Sequence, residues 1–112
     1  MMTTTPAVLA PQQFVPDVAT RAHTAAGVGS WIDHALFANV GVAPASISVH
    51  LVPAGGAVGD DTKAVPPVSL APGETTTLPD LVGRFLAAGE SVWWTASLAD
   101  SINGAITGRA VT

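Results

Sequence analysis

With 112 residues, 48% hydrophobic and only 11% charged, the chain has room for one domain with a modest core and a sparsely charged surface. Its net charge is −4, and its fixed cations, Arg21, Lys63, Arg84 and Arg109, are scattered. No basic stripe exists to neutralise phosphates, so direct nucleic-acid binding is not expected. The absence of cysteine excludes disulfide scaffolding, thiol catalysis and thiolate metal sites.

In chain order, MMTTTPAVLAPQQFVP opens with neither the basic region nor the continuous apolar run of a secretory signal. Pro6, Pro11 and Pro16 favour extended backbone and remove donors. Residues 1–16 are therefore predicted to be an extended N-terminal arm, with residues 17–112 as the folded domain. The arm holds no charged residue, and Leu9 and Phe14 are its candidate anchors on a neighbouring subunit or another protein. The alternative is a loose tail folded back on its own domain.

DVATRAHTA (17–25) reads as a first strand and AGVGS as a turn. WIDHALFANV (31–40) alternates, with Ile32, His34, Leu36 and Ala38 on one face and Trp31, Asp33, Ala35, Phe37 and Asn39 on the other. SISVHLVP (46–53) is the clearest strand: Ile47, Val49 and Leu51 face the core, and Pro53 ends it. Leu36, Val92, Trp94 and Ile106 are the expected core partners. AGGAVGDDTKAVPP (54–67) is a long loop, VSLA a short strand and APGE a tight turn. Around residues 78–87, Thr77-Leu78-Pro79-Asp80 could cap one helical turn through Leu81 and Val82, and a strand at 74–78 followed by another at 81–86 is equally admissible. SVWWTASLA (91–99) and AITGRAVT (105–112) complete the set.

No segment joins a 3.6-residue apolar period to proper caps, and no stretch approaches the roughly 18 apolar residues of a membrane span. Seven or eight short strands with Gly/Pro turns predict an all-β fold, a small antiparallel β-sandwich of jelly-roll or Ig-like type.

Catalytic and cofactor chemistry finds little support. His34 and His50 fall on consecutive strands, but HxH and HExxH spacings are missing, so ordinary histidines are the reading. Asp60-Asp61 lacks the alternating oxygen ligands of a calcium loop, and no serine sits in a GxSxG setting. We therefore expect no enzyme activity, no metal and no cofactor. Trp93 and Trp94 are adjacent in a strand, so their rings point to opposite faces and only one enters a core. The other, and Trp31, would serve an interface, pack under a loop, or form a carbohydrate platform. Trp31 and Trp93 join Leu9 and Phe14 as interface candidates. Low charge and spare aromatics suit a homo-oligomer, with a trimer as the first guess.

The ordered set VPDVATRAHTAAGVGSWIDHALFANV, VAPAS, ISVHLVPAGGAVGDD and LAPGETTTLPDLVGRFLAAGESV, ending in the A-x-T-G-R of the last strand, resembles small virion structural proteins of tailed bacteriophages. The resemblance spans roughly residues 17–110, and the HLVP-x-GG-x-x-GD stretch is its centre. Trp93-Trp94 departs from the small residues that the family pattern has there. The resemblance implies a compact β-sandwich on a phage particle: a capsid decoration or stabilisation protein, or a tail, collar or fibre-attachment component. It brings no catalytic residues. A host-surface or carbohydrate-binding module is the competing class.

Overall fold

The computed structural model describes residues 2–64 and 67–112. Among the described residues nine strands form two antiparallel sheets packed face to face: β1 (Thr4–Phe14), β2 (Thr20–Thr24), β3 (Gly29–Asn39), β4 (Ala45–Val52), β5 (Val68–Leu70), β6 (Thr75–Thr77), β7 (Phe85–Ala87), β8 (Ser91–Ala96) and β9 (Ile102–Val111). The larger sheet runs β1-β9-β3-β6, with β7 also on β3; the smaller runs β2-β8-β4-β5. Each strand lies in the opposite sheet from its predecessor, except β5, which pairs beside β4, and β7, which shares the edge of β3 with β6. That alternation is the wrapping of a jelly roll. In the Ig-like alternative the first two strands would share a sheet.

The alternation read in β4 and β8 holds. Ile47, Val49, Val92 and Trp94 are buried, and Trp94 meets Phe37 of the other sheet edge-on, with ring centroids 6.0 Å apart. Leu51 lies only partly buried at the margin of this core. Burying side chains of this size contributes about 1.5–3 kcal/mol each.

In β3 the expected faces are corrected. The register slips between Ile32 and His34, so Asp33 and His34 together oppose the β9 stretch that one residue would span. Such a bulge reverses the parity of everything beyond it. Ile32, Ala35 and Phe37 point inward, while Leu36, expected in the core, turns outward and is 40% exposed. The segment from Thr75 to Ala87 follows the free edge of β3 and realises both readings of residues 78–87. It forms two short strands separated by a single 3-10 turn, Pro79–Leu81.

The expected N-terminal arm is also corrected. Residues 4–14 are extended, but they are the edge strand of the larger sheet, paired along β9. No boundary falls at residue 16, because Val15 N donates to Ile102 O and Ala96 N to Pro16 O. The prolines are accommodated because the strand is an edge. Thr3 and Thr112 exchange both backbone bonds, so Pro6, three residues on, directs its donor-less nitrogen away from β9. Met1, and residues 65 and 66 of the predicted 54–67 loop, lie outside the described residues.

Candidate functional site

The two sheets present very different outer faces. On the larger one, the rows of directly opposed residues are Pro6, Arg109, Trp31 and Phe85, then Val8, Thr107 and His34, then Ala105, Leu36 and Thr77. A last row brings Phe14, Asn103, Ala38 and Thr75 together. Val8 is 65% exposed, Phe14 46%, and Leu36 and Phe85 40% each. Phe14 and Trp31, two of the four interface candidates, therefore share one face.

Trp31 is half-buried. Its ring lies 4.9 Å from that of Phe85, and the Arg109 guanidinium stands 5.8 Å from its centroid. Arg109 also grips Asp33, the bulge residue, with Nε at 2.9 Å from Oδ2 and Nη2 at 3.0 Å from Oδ1. This paired hydrogen bonding raises the pKa of Arg109 and keeps the charge compensated on the surface. An open groove of about 410 Å³ runs beside the pair between Pro6, Val8, Asp33 and Thr107. A smaller hollow of about 60 Å³ lies between Gln12, Leu36, Ala38 and Asn103. Asn103 Oδ1 is buried there without a hydrogen-bond partner among the described residues. A buried acceptor left unpaired is costly unless a donor reaches it.

On the smaller sheet, the outward residues of β4 and β8 are mainly hydroxyls: Ser46, Ser48, Ser91 and Thr95. Trp93 stands among them, opposite His50. Its Nε1 donates to Ser91 Oγ at 2.9 Å, and the Arg21 guanidinium sits 5.6 Å from its centroid. A sugar platform needs an open ring face, and a cation stands over this one. His50, opposite Trp93, is buried, with Nδ1 2.9 Å from Thr62 Oγ1. His34 lies on the outer face of the other sheet, so the structure does not bring the two histidines together. Among the described residues no group of three His, Asp or Glu side chains could hold a metal ion.

Leu9, the remaining candidate, sits at a bulge between Val8 and Ala10 that turns both Leu9 and Ala10 inward. At 7% exposure it is a core residue of its own domain and has almost no surface to offer a partner. Val8, Leu36 and Phe85 were not among the candidates. For Val8 and Leu36 the signal is masked by bulges; for Phe85 it is masked by the undecided 78–87 segment. No family model, no curated protein and no solved structure matches the chain.

Proposed function

We propose that this is a non-enzymatic structural protein that works by protein–protein contact, and that its setting is a tailed-phage particle, as a capsid decoration or stabilisation component. The observation that supports contact as its work is the outer face of the larger sheet, where Val8, Phe14, Leu36 and Phe85 stand exposed among threonines and the Arg109–Asp33 ion pair is closed on itself. Three strands of ten or eleven residues, about 4.8 Å apart, with the short β6 and β7 along the edge of β3, present roughly 600 Å² in projection, near the ~800 Å² per partner of a standard interface. A neutral face of this kind suits a second copy of the chain, because like surfaces meet without charge repulsion. The phage setting is supported by the sequence resemblance; a jelly roll also serves lectins and other proteins, so the fold alone does not select it.

The test is co-purification. Phage particles banded on a density gradient should carry the chain at a fixed copy number per particle, and the isolated protein should self-associate as its concentration rises. A chain absent from washed particles refutes the setting, and a monomer at all concentrations refutes self-association.

A further inference from the structure

One end of the sandwich collects four connections: 15–19, 40–44, 71–74 and 97–101. The strand register brings them together. β1, β3, β5 and β8 end there, and β2, β4, β6 and β9 begin there. Backbone bonds tie the loops to one another and to the sheets: Val40 N to Ser101 O at 2.8 Å, Gly73 N to Asn39 O at 2.8 Å, and Ala96 N to Pro16 O at 2.8 Å.

The tips of these loops are aliphatic and in solvent. Val42 is 99% exposed, and Val18, Val40 and Leu98 are exposed with it. Such side chains on floppy loops would collapse onto the domain, but these loops are held. Asn39 is buried at the end of β3. Its Nδ2 donates to Ala43 O and Leu70 O, each at 2.9 Å, and its Oδ1 accepts from Gly41 N at 2.9 Å. In the loop 71–74, Glu74 Oε1 accepts from Ala71 N at 2.8 Å. In the loop 97–101, Ser97 Oγ accepts from Ser46 N at 2.8 Å, and Asp100 is held at a positive φ of 53°. Apolar groups fixed in this way are pre-organised, so a partner that covers them loses little further conformational entropy.

The charge at this end has one sign. Asp17, Glu74 and Asp100 lie on the four loops, and no Lys, Arg or His does. A second copy of the same end would be repelled, and so would an anionic lipid surface or a nucleic acid. We propose that this end is a docking surface for a different protein, one that offers an apolar hollow rimmed by Lys or Arg. Val42 and its neighbours would enter the hollow, and the three carboxylates would face the basic rim. The site is separate from the outer sheet face and stands whether or not that face self-associates.

The probe is a displayed library of random peptides about twelve residues long, selected on the full chain held through its C-terminus. Thr112 is paired to Thr3 at the opposite end of the sandwich, so the loops stay free. The expected winners carry aliphatic residues flanked by Lys or Arg. Their affinity should fall at least about tenfold on Val42→Asp, the signature of a central contact. Affinity should fall several-fold on the triple change Asp17→Asn, Glu74→Gln, Asp100→Asn, and the salt dependence between about 50 and about 500 mM NaCl should largely vanish with it. Val42 is solvated, and asparagine tolerates the backbone at position 100, so both variants should unfold at the wild-type midpoint.

No enrichment, winners without basic residues, or binding that ignores Val42→Asp each overturns the proposal. So does Val42-dependent binding to vesicles of phosphatidylcholine or phosphatidylglycerol, because the partner would then be a membrane.

Discussion

The outer faces of the two sheets are built by the same alternation and come out opposite in character. Over β4 and β8 the alternation is unbroken, and serines and threonines take most of the outward positions beside Trp93, His50 and Val52. Over β1 and β3 it is broken by bulges at Leu9 and Asp33. Without the extra residue in β3, parity counted from Ile32 would send Leu36 inward and Phe37 out. The bulge puts Phe37 against Trp94 and leaves Leu36 at the surface. The apolar outer face thus comes from residue placement, with no help from an unusually apolar strand. Bulges concentrate where a sheet is shaped for contact, and two of them flank Thr107 beside the groove.

The largest expected effect follows directly from this contrast. Val8→Asp combined with Leu36→Asp puts two unpaired charges on the apolar face and should weaken self-association by at least about 100-fold, the scale of losing a central contact. The matching pair on the other face, Ser48→Asp with Thr95→Asp, should leave sedimentation unchanged. If both pairs act alike, or if the hydroxyl face is the sensitive one, the assignment of the contact surface is wrong.

How far the sequence discloses this molecule depends on the regularity of each strand. In β4 and β8, hydrophobic and polar residues alternate cleanly, and the core they form was readable from Ile47 to Trp94. In β3 a charged and an imidazole residue in succession, Asp33 and His34, conceal the extra residue, because either one is acceptable on an outward face. Over residues 1–16 three prolines suggest an extended arm, and only pairing shows that Pro6 directs its missing donor to the free edge. Trp31 and Phe14 were legible as aromatics without an obvious core position. The loop end was not legible, because Val18, Val42 and Leu98 resemble core residues until the turns are placed. Asn39 reads in the sequence as an ordinary strand residue, although it organises the loop that follows.

A second prediction concerns the strand that separates the two bulges. A Cβ at Gly108 would collide with the Trp31 carbonyl oxygen and approach Leu9 Cδ1 at 3.0 Å. The obstacle is backbone on one side, so little can give. Gly108→Ala should therefore cost about 1–3 kcal/mol, the usual range for overpacking. Gly104→Ala meets the Phe37 ring at 2.7 Å and should destabilise as well, although a ring can move where a carbonyl in a ladder cannot. Urea unfolding checks both. Equal or greater loss at Gly104 would mean that the approach of β9 to β3 is looser than the geometry implies.

The smallest effect belongs to the seam between the faces. His23 of β2, in the smaller sheet, has Nε2 3.1 Å from Ser30 Oγ of β3 in the larger one. Partial burial lowers its pKa from the ordinary 6.5, and a hydrogen bond with the Leu9 backbone opposes that only in part. At pH above about 6.5 the ring is neutral in both the folded and the unfolded chain, and the seam has its full strength. As the pH falls below that value the unfolded chain takes up the proton first. Stability then declines with falling pH until the folded-state pKa is passed, where it levels off. His23→Gln keeps a group able to bond Ser30 but does not titrate, so the wild type should lose stability relative to it as the solution is acidified. The readout is the difference in unfolding midpoint between the two proteins across that range, in which contributions common to both cancel. Because the seam touches neither outer face, self-association per folded molecule should stay the same. A wild type that gains stability over His23→Gln on acidification would reverse the sign and show that the folded seam holds the charged ring.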